Sequence, residues 1–199
     1  MLKQVRRLFG RSKSGRAEPT TAVIAAEQQP PVASPMVDDS FCLPFEIRPI
    51  QPGDAQALRQ LFKQSIEQIA ARHYEPDAIA AWSASADEED FISGLEQGLT
   101  LVATLHGEHA GFAQLHPASH IEMLYLSPDA SGLGIASLLY QYLEDEARMA
   151  GSRTLTTASS LTAQRFFESV GFQVSKEEMV KRGKVTIKRL SMQKVLVAD

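Results

Sequence analysis

From Phe45 onward, short apolar runs alternate with stretches of helical period. FEIRPI reads as a short strand and Pro52-Gly53-Asp54 as a turn that starts a helix. Ala57, Leu58, Leu61, Phe62, Ile66 and Ile69 then recur at helical spacing. Pro76 suits the first turn of a second helix reaching Trp82, and a third helical stretch runs from about Asp87 to Gln97. LTLVATL, HAGFAQLH and HIEMLYLS follow as strands joined at His106-Gly107-Glu108 and Pro117-Ala118-Ser119, connections short enough for an antiparallel meander. Residues 134–150 form one long amphipathic pattern ending at Gly151. SRTLTTA is a strand, LTAQRFFESVGF a short helix, and FQVSKEEMV with KVTIKRLSMQKV a hairpin across Lys181-Arg182-Gly183. Parity changes near Lys188 and Arg189, which predicts a bulge there. The order of elements implies an α/β fold: a mixed, mostly antiparallel sheet of six to seven strands flanked by about four helices.

The pattern is absent before residue 41. Pro19, Pro30, Pro31 and Pro35 interrupt a stretch rich in Ala, Ser, Thr and Gln, which predicts a disordered linker. Residues 1–40 hold six basic and four acidic residues, so the basic charge gathers ahead of an acidic body. The expected organisation is therefore a basic segment with linker over 1–40 and one domain over 45–195. Residues 1–16 place Leu2, Val5, Leu8 and Phe9 near one helical face. This allows peripheral contact with anionic lipid or a transit peptide, although an unstructured basic start accounts for so short a segment equally simply. An acidic body argues against nucleic acid as partner. No apolar run reaches the roughly 20 residues of a transmembrane helix. The lone cysteine, Cys42, forbids an intrachain disulfide and suits a reducing, cytoplasmic setting.

Candidate chemistry concentrates at one bend. A strand over Met123–Leu126 passes through Ser127-Pro128-Asp129 into Ser131-Gly132-Leu133-Gly134-Ile135-Ala136-Ser137 and directly into the long helix. Glycines there let the backbone approach a ligand closely, and a helix start offers unpaired N–H groups and the positive dipole end, a cradle for a diphosphate. A mononucleotide loop needs Lys and then Ser or Thr after its last Gly, where Ile135 and Ala136 stand. A dinucleotide fold needs an acid on the next strand, and Thr154–Thr157 contain none. Coenzyme A is the remaining candidate.

The segment resembles the pyrophosphate motif of the GNAT acetyltransferase superfamily: Arg or Gln, two residues, Gly, one residue, then Gly or Ala. Gly134 and Ala136 match, and Ser131 replaces the Arg or Gln. A second segment, Ala163 to Phe172 with Phe166, Phe167 and Gly171, resembles the family's helix beside the pantetheine arm. The Arg-His-Tyr at 72–74, Ala81-Trp82 and the run 120–125 look most like the YafP-type branch. The resemblance covers about residues 45–195 and implies a GNAT fold with acetyl-CoA as cosubstrate. It further implies direct transfer to an amine, on a small molecule or a protein, in a ternary complex. A homodimer is compatible with it.

The resemblance also implies site roles. Backbone groups of Leu124, Tyr125 and Leu126 would meet the thioester and pantetheine, the 131–137 bend the diphosphate, and Ser160, Ala163, Phe166 and Phe167 the pantetheine side. His73, Tyr74 and Trp82 would wall the acceptor. Glu122, in an otherwise apolar strand, is the candidate base, with burial expected to raise its pKa; the bland alternative is a solvated carboxylate. Relatives often carry Tyr where this chain has Phe167, which removes an obvious proton donor and leaves Tyr74, Tyr125 and Tyr140 as substitutes. The departures at Ser131 and Phe167 keep a second function open: an acyl-CoA-binding sensor or interaction domain with weak catalysis. His106, His109, His116 and His120 match no metal spacing, so no metal is expected.

Overall fold

The computed structural model describes residues 45–196. The basic segment, the linker, Cys42 and the proposed lipid-binding face lie outside the described residues. A seven-stranded sheet runs in the order β1-β2-β3-β4-β5-β7-β6. Its strands are β1 (Phe45–Pro49), β2 (Leu99–Leu105), β3 (Glu108–Leu115), β4 (His120–Leu126), β5 (Thr154–Ser159), β6 (Gln173–Arg182) and β7 (Val185–Val195). The meander predicted for β2, β3 and β4 is present, and every pair is antiparallel except β4–β5.

Five α-helices cover the sheet: α1 (Asp54–Gln64), α2 (Pro76–Ser83), α3 (Asp90–Leu95), α4 (Ile135–Met149) and α5 (Gln164–Ser169). Alternation along the strands sorts the core onto two faces. Leu101, Ala103, Ala113 and Leu115 meet Leu139 and Leu143 of α4 and Phe167 of α5. Val102 and Phe112 point the other way and meet Leu58, Leu61 and Phe62 of α1 and Phe91 of α3.

Covering both faces corrects the expected bulge in β7. Ile187 is buried toward α2, and Leu190 and Met192 on the opposite face toward α4 and α5. A strand buried on both sides can change apolar parity without an extra residue. The pairing of Lys188 with Met179 and of Arg189 with Glu178 is regular, and the irregularity falls on β6 between Val174 and Lys176.

Helix α1 starts differently from the simple cap expected. Gly53 takes φ 102°, and Asp54 is the first helical residue, 7% exposed. Its carboxylate accepts the Gln51 N–H at 2.8 Å and both Arg48 guanidinium arms at 2.7 and 2.9 Å, and it lies 3.0 Å from His109 Nε2. The Arg48 hydrogen bonds hold its pKa far below the ordinary carboxylate range. This ties β1, α1 and β3 at one point.

Candidate active site

The parallel pair that closes the middle of the sheet is very short. β4 and β5 pair only at His120–Thr156 and Ile121–Thr157. β4 nevertheless continues to pair with β3 as far as Leu126 opposite Gly111, so beyond Ile121 its β5-facing edge opens into a gap. The Ser127 N–H donates to Ala110 O on β3 at 2.8 Å. By alternation the N–H groups of Leu124 and Leu126 point the other way, into the gap. In β4, Met123 pairs with Gln114 and Ile121 with Leu115, leaving Glu122 as the extra residue of a bulge. The bulge resets the alternation. Ile121 packs toward α4, whereas Met123 and Tyr125 face α1 and α3.

The gap opens into a cleft of about 430 Å³. One wall holds Leu124, Tyr125 and Leu126. The floor holds Ser131, Gly132, Gly134, Ala136 and Ser137, and the far wall Ser160, Ala163 and Phe166. Gly132 and Gly134 take φ 85° and 82°, and a Cβ added to either would meet no protein atom within 4 Å. Local bonds consume some of the bend's amides: Ser131 N–H goes to Pro128 O, Leu133 N–H to Ala130 O and Ser137 N–H to Gly134 O. The N–H groups of Gly132, Gly134, Ile135 and Ala136 have no partner among the described residues. Four free donors at the start of a 15-residue helix, with open space above two glycines, suit a diphosphate.

A second cavity of about 290 Å³ lies on the α1–α3 side and is lined by Phe62, Tyr74, Trp82, Phe91 and Glu122, among others. The two cavities share Trp82, Tyr125 and Ser160. The Tyr125 ring packs on Phe62 with centroids 4.6 Å apart and stacks on Phe112 at 5.6 Å. Burial drives the Tyr125 pKa well above the ordinary phenol value, so the group stays protonated.

Not every expected site residue reaches these cavities. Leu133 is 56% exposed and points away, whereas Ile135 and Phe167 are buried in the core. Phe166 and Phe167 are adjacent on α5 and so cannot share a face: Phe166 lines the cleft, and Phe167 packs on Phe172 at 5.2 Å. His73 is exposed on an outer hollow beside Glu75 and Pro76, its Nδ1 3.2 Å from Thr162 Oγ1. Tyr74 lines the second cavity, but its hydroxyl is occupied, donating to Lys188 O at 2.9 Å and accepting the Leu161 N–H at 2.8 Å. Tyr140 sits in the core, donating to Glu144 and accepting from Lys194. Ser160 Oγ accepts the Ala163 N–H at 3.1 Å and so closes the turn that leads into α5.

Glu122 lines the second cavity, but its side chain is 51% exposed. The burial inferred from its apolar neighbours is therefore absent: the bulge turns it out of the strand's packed face toward water. Phe62 and Phe91, legible in the sequence only as helix-face apolar residues, prove to be cavity walls, and no local signal distinguishes the two roles. No group of His, Cys, Asp and Glu residues able to hold a metal occurs among the described residues. No helix there is long and apolar enough to cross a membrane.

An opened strand pair beside a glycine-lined helix start suits a ligand that joins a diphosphate to a slender arm, as coenzyme A does. Residues 70–196 match the family model described as an acetyltransferase (GNAT) domain, and the chain belongs to that family of acetyl-CoA-dependent N-acetyltransferases. It is 34% identical over 136 residues to the uncharacterized N-acetyltransferase YafP of Escherichia coli (strain K12), covering 68% of this chain and 86% of that protein. A GCN5-related N-acetyltransferase from Rhodopseudomonas palustris superposes with TM-score 0.73 at 35% identity, over 76% of this chain and 95% of the other. The fold is shared at 19% identity and TM-score 0.60 with the PaiA N-acetyltransferase from Thermoplasma acidophilum, solved with coenzyme A, over 76% of this chain and 99% of that one.

Proposed function

We propose that this enzyme transfers the acetyl group of acetyl-CoA directly to the amine of a small, partly planar molecule. The observation that carries the reading is the junction of the two cavities at Trp82, Tyr125 and Ser160. A diphosphate held by the free amides of Gly132, Gly134, Ile135 and Ala136 lets a pantetheine arm run along Leu124 and Leu126 toward that junction. The N–H groups of Leu124 and Leu126 then lie where a thioester oxygen gains charge during attack. Losing one such donor typically costs about 100-fold or more in rate.

The acceptor enters from the other side. A cavity of 290 Å³ walled by Phe62, Trp82 and Phe91 and also lined by Asp90, Arg182 and Arg189 suits a flat body of modest size with polar ends, which favours a small molecule over a peptide chain. Glu122, at the edge of this cavity, takes the amine proton, directly or through the water that its exposure admits. Tyr125 sits between both cavities and, keeping its proton, donates a hydrogen bond to the departing sulfur, which leaves as thiolate; Phe167 has no group that could do so.

The test has two parts. Calorimetry with acetyl-CoA measures the cleft. Thiol release with aniline, 2-phenylethylamine, spermidine, lysine and an Ala-initiated peptide, with products confirmed by mass spectrometry, measures transfer. Faster turnover of the two aromatic amines supports the acceptor reading. Tight binding with no thiol release from any amine would instead establish an acyl-CoA-binding sensor. Glu122→Gln is expected to keep acetyl-CoA affinity and to lower kcat about 100-fold; an unchanged kcat removes Glu122 from the chemistry.

A further inference from the structure

Beyond Glu122 lies a separate polar chamber of about 380 Å³, bounded by β4, β5, β6 and β7. Glu122 and Arg189 line both this chamber and the acceptor-side cavity, so the carboxylate stands between the two. His120 lines the chamber on the same strand. Its Nε2 is 3.4 Å from Glu122 Oε2, and its Nδ1 is 2.8 Å from Thr156 Oγ1. The Thr156 hydroxyl also lies 3.2 Å from Ser119 O.

That hydroxyl has one proton and spare lone pairs, so it can serve the imidazole in two ways. Turned toward Ser119 O, it accepts from Nδ1–H and leaves the Nε2 lone pair facing Glu122. Turned toward Nδ1, it leaves Nε2–H facing the carboxylate. Rotation about the C–O bond switches the hydroxyl between donor and acceptor, while the ring exchanges one N–H for the other through its doubly protonated form. A group of this kind can receive a proton at one moment and hold an anion steady at the next.

We propose that His120 stands behind Glu122 as its proton acceptor, moving the amine proton from the acceptor cavity to water in the β4–β7 chamber. The proposal rests on Glu122 being the base. As the amine nitrogen bonds to the acetyl carbon and the carbon–sulfur bond breaks, the departing N–H proton forms an O–H bond on Glu122. It then passes to His120 Nε2, restoring the carboxylate and leaving an imidazolium that Thr156 supports at Nδ1. The imidazolium releases its proton to chamber water, and both groups return to their starting states. His120 is a positioning residue in this scheme, because it acts through Glu122 and does not touch the acceptor.

The electrostatics suit the task. Partial burial outweighs the attraction of Glu122, and Arg189 adds to the burial effect, so the imidazole pKa is held below its ordinary value. Glu178 faces the same chamber but is engaged by Arg189 Nε at 2.9 Å. His120 is therefore neutral near pH 7 and able to accept a proton.

Two measurements on the full chain test this. The first is NMR titration of the His120 ring nitrogens in wild type and in Glu122→Gln, with no acceptor present. Loss of the carboxylate is expected to move the His120 pKa further down; identical titration in the two proteins overturns the pairing. The second is the pH dependence of kcat/KM in wild type, His120→Gln and Thr156→Val, using whichever amine of the panel above is turned over fastest. His120→Gln is expected to lose 10- to 100-fold in kcat, to lose the acid-side inflection and to be partly rescued by added imidazole, with acetyl-CoA affinity unchanged. A wild-type pH profile without imidazole rescue in His120→Gln overturns the relay, even where Glu122→Gln confirms the base. If Glu122→Gln itself retains full turnover, the base assignment fails first and takes the relay with it.

Discussion

Gly134→Ala separates the cost of folding the bend from the cost of binding at it. Gly134 has φ 82°, where an L side chain is strained by about 1 kcal/mol or slightly more, and its added Cβ meets no protein atom within 4 Å. The folding penalty is therefore only backbone strain, a fall in Tm of roughly 2–4 °C for a domain of this size. Gly151 supplies the control: its φ is 80°, its added Cβ also meets open space, and it lies at the other end of α4. Gly151→Ala should lower Tm by a similar amount. The two differ in ligand binding. At Gly134 the methyl group enters open space at a residue that lines the cleft beside the free amides, space that a diphosphate would need. Displacing one charge-assisted hydrogen bond costs roughly 1.5–3 kcal/mol, about 10- to 100-fold in Kd. Calorimetry with acetyl-CoA, together with thermal melts of both variants, reads the two costs separately. Equal acetyl-CoA affinity in wild type and in folded Gly134→Ala would refute the placement of the diphosphate at this bend.

Other expected outcomes follow from groups around the site. Asp54→Ala strands Arg48 and should cost about 3 kcal/mol by urea denaturation. The Asp54 pKa is lowered in the folded state, so its contribution is complete above the ordinary carboxylate value near 4 and declines as pH falls toward the depressed one. Between about pH 4 and 2, Asp54→Asn should accordingly lose less stability than wild type, and parallel acid melts of the two would contradict the assignment. Tyr74→Phe leaves the Leu161 N–H and Lys188 O without their shared hydroxyl and should cost about 2 kcal/mol in a thermal melt. Because Tyr74 also pins the acceptor-side wall, its loss should raise KM for the amine more than KM for acetyl-CoA.

Local rules were enough for much of the molecule. Helical spacing over Ala57–Ile69, Pro76 at a helix start and the turn at His106-Gly107 concern neighbours within a few residues, and the protein forms each of them, although Ser65–Ile69 winds as a π-helix after α1 ends. The glycine bend was legible for the same reason, since a left-handed backbone and a helix start are properties of consecutive residues. The direction of side chains in apolar runs was not legible. In HIEMLYLS the four residues after Glu122 are all apolar, so no alternation shows which face each takes, and the bulge at Glu122 and its exposure leave no mark in the pattern. The parity change in β7 suggested a bulge because one strand alone does not reveal helices on both faces of the sheet. Phe166 and Phe167 looked equally suited to the cleft until the turn of α5 allotted one to it and the other to the core.

Sequence alone therefore determined the elements, their order and the chemistry of the bend, because those depend on contacts along the chain. Tertiary structure decided where β4 and β5 part, which aromatics line the acceptor side and that His120, Glu122 and Thr156 meet. Those outcomes depend on segments 36 residues or more apart being held at hydrogen-bond distance by a sheet packed on both faces.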